Sequence, residues 1–210
     1  MIRPSPRLSL RHRGRRFGTV PLALALIALT LVTTSWPVLA GTKEGISAYR
    51  AGDYETARIE FEPVAETDPE ARYYLGTMYE AGYGVPRSYE KALELYRSAG
   101  DQGYVPAQYH LGLLFENGEG VGRDYTIAFE WYKRAAERGY APAQINLGLL
   151  YQFGRGVETS HLLAHVWFAL AEEQDYPGAK KNRMNAARFL STDEIALAER
   201  MTGRWKATEN

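Results

Sequence analysis

The chain has 210 residues, carries 25 basic and 25 acidic side chains, and contains no cysteine. Six arginines lie within the first 16 residues, so that the chain beyond residue 40 has 19 basic against 25 acidic side chains, a net charge of −6. An acidic surface does not attract a phosphate backbone, and nucleic acid is therefore not an expected partner. The lack of cysteine excludes disulfides, thiol catalysis and cysteine-ligated zinc.

Residues 1–40 are predicted to be a signal peptide. The arginines between Arg3 and Arg16 form a basic segment, an uncharged stretch follows, and Val38-Leu39-Ala40 places small residues at a cleavage site. We therefore expect a mature protein that is periplasmic or secreted. The alternative is an uncleaved helix that anchors the chain in the inner membrane, since the uncharged stretch from Phe17 to Gly41 is long enough to span a bilayer.

Residues 41–68 are predicted to form a first pair of antiparallel helices. Asp53, Tyr54, Ala57 and Phe61 resemble a tetratricopeptide-type hairpin, in which an acidic turn residue precedes a helix with a small and an aromatic core residue.

Three markers then recur at an interval of 36 residues: a Leu-Gly pair, a Gly-x-Gly-Val segment and an alanine. They stand at Leu75-Gly76, Leu111-Gly112 and Leu147-Gly148; at Gly82–Val85, Gly118–Val121 and Gly154–Val157; and at Ala92, Ala128 and Ala164. In-phase repeats of this length are typical of helical hairpins stacked into a solenoid. The sequence therefore predicts an all-α fold with repeats at 69–104, 105–140 and 141–176.

Each repeat position has a predicted role in packing. In the first helix of the first repeat, Ala71, Leu75 and Met78 form an apolar stripe at helical spacing. The glycine after the leucine costs about 1 kcal/mol relative to alanine in a helix, which is tolerable where a second helix approaches closely. The expected close partners are the small residues of that second helix: Ala92, Ala128 and Ala164.

Helix ends are also encoded in the repeat. Gly82, Gly118 and Gly154 occupy the position where a helix ends in a left-handed residue. Ser88, Asp124 and Ser160 occupy one equivalent position and are good N-caps for the second helix.

Residues 177–210 are predicted to cover the end of the stack. A helix is expected from about Gly178, and Ser191-x-x-Glu194 is a capping box that begins a further helix. Ile195, Ala198 and Trp205 would face the last repeat.

The combined repeat pattern resembles the Sel-one-like repeat family, a relative of the tetratricopeptide repeats, over residues 69–176. Glu172 and Asp175 depart from it, as terminal repeats often do. The resemblance implies a right-handed α/α superhelical solenoid of antiparallel hairpins whose first helices line a concave groove. It also implies a protein-binding role in the regulation or assembly of the bacterial cell envelope.

Three histidines are candidate metal ligands. His161 and His165 have the four-residue spacing of a helical metal site. They align with large packing residues of the other repeats, and a third ligand is missing nearby, so neither a metal nor a cofactor is expected. His110 stands alone in the middle of a helix and is predicted to be an ordinary core or surface residue.

Ser88-x-x-Lys91 matches one motif of the penicillin-recognising enzymes. The companion motifs are absent from the sequence, and Ser88 is already explained as an N-cap. The chain is therefore not expected to be an enzyme.

One surface is left as a candidate binding site. It is the face of each first helix opposite the leucine stripe, here called the groove face, and five of its nine residues are apolar or aromatic. Its residues are Tyr73, Thr77, Glu80, Tyr109, Leu113, Glu116, Ile145, Leu149 and Gln152. A solvated face would be mostly charged, so the apolar and aromatic residues of the groove face indicate contact with a partner. Because acidic residues accompany them, the expected partner is a peptide or protein with apolar and basic groups. The alternative is that curvature buries these residues against neighbouring hairpins.

The sequence as a whole predicts an exported, monomeric scaffold that binds a peptide or protein and uses no cofactor. Two alternatives stay open: a penicillin-binding or hydrolase activity carried by the helices, and a structural spacer without a groove ligand.

Overall fold

The computed structural model describes the chain from Gly41 to Glu209, with side chains as far as Trp205, and this part forms ten helices and no strand. The helices are α1 (Thr42–Ala51), α2 (Tyr54–Phe61), α3 (Pro69–Ala81), α4 (Tyr89–Asp101), α5 (Val105–Asn117), α6 (Tyr125–Ala136), α7 (Ala141–Phe153), α8 (His161–Glu172), α9 (Ala179–Ala187) and α10 (Thr192–Glu209). The predicted signal peptide or anchor lies outside the described residues. In the described part, no helix is both long and apolar enough to cross a membrane.

Consecutive helices pair into hairpins, α1 with α2, α3 with α4, α5 with α6 and α7 with α8, and each hairpin packs on the next. The predicted all-α solenoid is thus confirmed. The predicted caps are present as well. Asp124, for example, accepts hydrogen bonds from the backbone N–H groups of Thr126 (2.8 Å) and Ile127 (3.1 Å) at the start of α6. At the end of α5, Gly118 has a φ of 76°, which a glycine adopts without strain.

The helix glycines make a close approach, but the predicted partner was wrong. A Cβ atom built at Gly76 would lie 2.6 Å from Cε1 of Tyr96, and one at Gly148 would lie 2.5 Å from Cε1 of Phe168. The glycine therefore accommodates the aromatic ring of the second helix rather than its alanine. The alanines are fully buried, but the ring reaches across the hairpin because the bare glycine backbone gives it a flat surface.

Neighbouring hairpins are joined by a hydrogen bond that recurs with the repeat. Gln108 in α5 donates from Nε2 to the carbonyl oxygen of Gly100 at 2.8 Å, and Gln144 in α7 donates to that of Ala136 at 3.3 Å. Both glutamines are buried. Each adds a second hydrogen bond to a carbonyl in the last turn of the preceding second helix, which also accepts from the backbone N–H of Gly103 or Gly139 at 3.0 Å.

The C-terminal helices pack on α8, the last helix of the three repeats. The backbone N–H and the hydroxyl of Ser191 donate to Glu194 at 2.8 and 2.9 Å, and the backbone N–H of Glu194 donates to Ser191 Oγ at 3.3 Å, which is the predicted capping box. Ala198 is fully buried, and Trp205 packs edge-on against Trp167 with ring centres 4.7 Å apart.

Candidate partner-binding face

The groove face is neither fully solvated nor fully buried. Eight of its nine predicted residues are partly exposed, and Ile145 is buried with 9% of its surface exposed. Both interpretations of the sequence are therefore partly correct. Neighbouring hairpins cover some of this face, and the eight side chains other than Ile145 remain partly exposed. Whether a partner binds there stays a prediction.

Pairs of tyrosines follow the groove face from repeat to repeat. Tyr73 in α3 contacts Tyr104, the residue before α5, with ring centres 5.4 Å apart. One repeat later, Tyr109 contacts Tyr140 with ring centres 5.3 Å apart. All four are partly exposed. Burial, with a smaller contribution from neighbouring groups, raises the pKa of Tyr73 to about 12, so that its phenol is neutral at physiological pH.

The groove face predicted from the sequence does not include Tyr104 and Tyr140. Together with Tyr176 they recur at 36-residue spacing. That spacing was the available signal. It could not show that these rings lie beside the first helices, because the path of the connecting segment is set by how the hairpins pack.

A polar cluster is built around Glu80 on the groove face. Glu80 Oε2 accepts a hydrogen bond from the hydroxyl of Tyr96 at 2.6 Å and lies 2.8 Å from Nε2 of His110 in the next repeat. The prediction that His110 stands alone was wrong, because the stacking of the repeats places His110 beside Glu80, which lies 30 positions earlier in the sequence. Burial alone would raise the pKa of Glu80, but the hydrogen bonds from His110 and Tyr96 outweigh it and lower that pKa. Glu80 is therefore a fixed carboxylate.

The second repeat holds an equivalent carboxylate. Glu116 Oε2 accepts a hydrogen bond from the hydroxyl of Tyr132 at 2.7 Å, in the same relation as Glu80 to Tyr96. In the third repeat both members change together, to Gln152 and Phe168. Gln152 Oε1 is buried and has no hydrogen-bond partner within the described part of the chain. The groove face thus carries two carboxylates, one repeat apart and each held by a buried phenol.

The histidines of α8 lie at positions that large residues occupy in the other repeats. His161 stacks on Phe189 with ring centres 4.3 Å apart, and His165 is 1% exposed. Within residues 41–209, no group of three or more histidine, aspartate or glutamate side chains is arranged to hold a metal ion.

Ser88 and Lys91 have separate structural roles. The Ser88 hydroxyl accepts a hydrogen bond from the backbone N–H of Lys91 at 3.3 Å and so caps α4. The ammonium group of Lys91 lies 5.0 Å from the centre of the Tyr79 ring, a cation–π distance. The match to the penicillin-recognising motif is accounted for by these contacts.

Stacked hairpins with recurring caps, ring contacts and interhelical hydrogen bonds define a helical-repeat solenoid protein. Comparison with family models gives the particular family: residues 69–104, 105–140 and 141–176 each match the Sel1 repeat, the Sel-one-like repeat resembled by the sequence pattern. These matches cover just over half of the chain, which therefore belongs to the Sel1 repeat family. Members of this family are typically protein–protein interaction scaffolds without catalytic activity.

Solved structures are similar as well. A Sel1 repeat protein from Oxalobacter formigenes is 32% identical with a TM-score of 0.64, over 71% of this chain and 61% of that one. A protective antigen present in uropathogenic Escherichia coli strains, which displays an SLR fold, is 25% identical with a TM-score of 0.47, over 77% of this chain and 45% of that one. The chain thus spans less than two thirds of the length of either protein. None of the curated proteins compared with it gives a match.

Proposed function

We propose that this protein is an exported interaction scaffold that binds a peptide or protein partner along the groove face. The observation that carries the proposal is the regular array on that face, where partly exposed tyrosine pairs alternate with fixed carboxylates at Glu80 and Glu116. Tyrosine supplies large contact area at low cost in side-chain entropy and is enriched where proteins bind one another. The carboxylates favour a partner with basic groups beside its apolar ones.

Two leucines on this face support binding independently. Leu113 and Leu149 are partly exposed, and the equivalent residue of the first repeat is Thr77. Because threonine fills this position in the same fold, stacking of the hairpins does not require an apolar side chain there. Leu113 and Leu149 each pack in part against the core, and the exposed remainder of each side chain is an apolar surface that a partner can contact.

The experiment places a photoreactive amino acid at Leu113, at Leu149 or, as a control, at Ile127, in the full chain expressed in its native cell. Ile127 is an exposed apolar residue on α6, the second helix of its hairpin, and its equivalent in the first repeat is Lys91. We expect the same partner to be crosslinked from both leucine positions and not from Ile127. Equal crosslinking from all three positions would contradict the proposal.

Matched substitutions then test the chemistry of recognition. Leu113→Lys with Leu149→Lys should abolish recovery of that partner, whereas Ile127→Lys should leave it unchanged, and circular dichroism should show the same helix content in all variants. A polar residue is tolerated at both kinds of position, as Thr77 and Lys91 show. Full recovery of the partner by the leucine variants would favour a spacer without a groove ligand.

Export is proposed from the composition of residues 1–40. It is tested by N-terminal sequencing of the protein from the native cell, which should begin at Gly41 in the soluble envelope fraction. An intact N-terminus in the membrane fraction would instead support the anchored form.

The enzymatic alternative has its own test. Labelling of the full chain by a fluorescent penicillin, with loss of the label in Ser88→Ala, would support it. We expect no labelling, because the Ser88 hydroxyl is the N-cap of α4 and the Lys91 ammonium lies over the Tyr79 ring.

A further inference from the structure

Two departures from the repeat in α8 replace small or apolar residues by ionisable ones. His165 stands where the earlier repeats have Leu93 and Phe129, and Glu172 stands where they have Gly100 and Ala136. Ala164, Phe168 and Ala171, which are also buried in α8, keep the apolar character of the repeat. The two changes are seven residues apart, or about two helical turns, so they lie on the same side of α8.

Both departures line one cavity between α8 and the two C-terminal helices. The cavity has a volume of about 360 Å³, which lies within the range of small-molecule sites. Its wall consists of His165, Ala169, Glu172, Glu173, Arg183, Glu199, Thr202 and Gly203. Residues that interrupt the repeat pattern thus meet residues of α9 and α10, which lie outside the repeats.

His165 has hydrogen-bonding capacity that the fold does not use. The side chain is 1% exposed, and neither Nδ1 nor Nε2 has a hydrogen-bond partner among the protein groups that the structure describes. Buried polar groups are almost always hydrogen-bonded, because a donor or acceptor removed from water without a partner is destabilising. A leucine, as in the first repeat, would avoid this loss, so an imidazole here calls for another explanation than packing.

The charges around the imidazole favour a positively charged ligand. Three carboxylates, of Glu172, Glu173 and Glu199, stand against the one guanidinium of Arg183. Arg183 Nε already donates to Glu172 Oε2 at 2.5 Å. The hydroxyl of Thr202 donates to the carbonyl oxygen of Ala198 at 3.0 Å, which leaves its oxygen lone pairs as acceptors toward the cavity. The wall therefore offers hydrogen-bond acceptors, and the Glu199 carboxylate can balance a positive charge.

We propose that this cavity binds a small organic cation carrying a primary ammonium group, with the neutral His165 imidazole accepting one N–H and the Glu199 carboxylate balancing the charge. Because both ring nitrogens are covered, binding requires the imidazole to turn toward the cavity. The site does not depend on the groove face, and its failure would leave the proposed scaffold function untouched.

The test is isothermal titration calorimetry of the full chain with diaminobutane, and with butanediol as a neutral compound of the same length. We expect saturable binding of the diamine at millimolar concentration or below and none of the diol. His165→Leu, which restores the residue of the first repeat, and Glu199→Gln should each weaken binding about tenfold or more, as expected for loss of a hydrogen bond to a charged group. Glu130→Gln, an exposed carboxylate on α6 outside the cavity, should leave the affinity unchanged.

A second measurement uses only the unaltered protein, so that it does not depend on the variants folding. On titration with diamine, the imidazole NMR signals of His165 should shift while those of His110 stay in place. No saturable binding at millimolar concentration would overturn the proposal. So would binding that persists in both cavity variants, or equal binding of the diol.

Discussion

Replacing Gly76 by alanine should destabilise the protein, although alanine is the better helix former. A Cβ atom at this position would lie 2.6 Å from Cε1 and 2.8 Å from Cδ1 of Tyr96, closer than any normal contact. The ring cannot easily move, because it is fully buried and its hydroxyl is bonded to Glu80 at 2.6 Å. Such overpacking costs about 1 to 3 kcal/mol. With the ring fixed in place, we take the upper value.

The higher helix propensity of alanine offsets about 1 kcal/mol of this cost. The free energy of unfolding should therefore fall by about 2 kcal/mol. For a fold of this size the midpoint of thermal unfolding should fall by about 4 to 8 °C. Urea denaturation followed by circular dichroism measures the free energy of unfolding directly. The matched control is Gly203→Ala in α10, where no described heavy atom outside the local backbone lies within 4 Å of the added carbon. This variant should be more stable, by up to about 1 kcal/mol.

The same substitution thus has opposite expected signs at two helical glycines. If Gly76→Ala were as stable as the parent, the close contact between glycine and ring would not restrict the fold, and the argument would be refuted. A second check removes the ring. In a Tyr96→Leu background, Gly76→Ala should become neutral or stabilising, since the side chain that collides with the new methyl group is gone.

Two pH-dependent predictions follow from the ionisable residues. The pKa of Glu80 is lowered from its usual 4.5, so the Glu80 carboxylate stabilises the folded state above pH 4.5. This contribution is lost as the pH falls through the lower pKa of the folded state. Glu80→Gln should therefore be less stable than the parent at neutral pH and should lose less stability in acid. Burial, with a smaller contribution from Arg183, lowers the pKa of His165 from 6.5, although Glu199 and Glu172 act in the opposite direction. The unfolded chain therefore binds more protons below about pH 6.5, and stability should fall there in the parent but less so in His165→Leu. Urea midpoints measured from neutral pH down to about pH 2 check both, and parallel curves for parent and variants would contradict them.

The sequence predicted the hairpins, their caps and the capping box because these depend on local chemistry repeated at a fixed interval. Ser88 and Asp124, for instance, bond backbone groups within three residues of themselves. It did not predict which side chain meets the helix glycine. Tyr96 and Ala92 lie on the same helix, and only the crossing of the two helices decides which of them reaches Gly76.

The polar part of the groove face was beyond sequence reasoning for a related reason. His110 has no acidic neighbour within one helical turn, and its partner Glu80 belongs to the preceding repeat. Sequence periodicity places each residue on a face of its own helix but does not give the distance between faces of successive repeats. Contacts at that distance, such as Gln108 with the Gly100 carbonyl, needed the structure.

Internal repetition nevertheless separates positions that stack the hairpins from positions that carry something particular to this chain. Glu80 with Tyr96 and Glu116 with Tyr132 keep both partners, and the third repeat loses both at once, as expected if each carboxylate depends on its phenol. His165 follows no such rule, because an apolar residue at its position was replaced by an imidazole without gaining a protein partner. The paired change removes a carboxylate together with its phenol, whereas the buried imidazole of His165, with neither ring nitrogen bonded, indicates a ligand or a titration. Ligand binding and titration at His165 are distinguished by one measurement. If His165 binds a ligand, the diamine should bind at pH 7.5, which is well above the pH range in which titration of His165 alters stability.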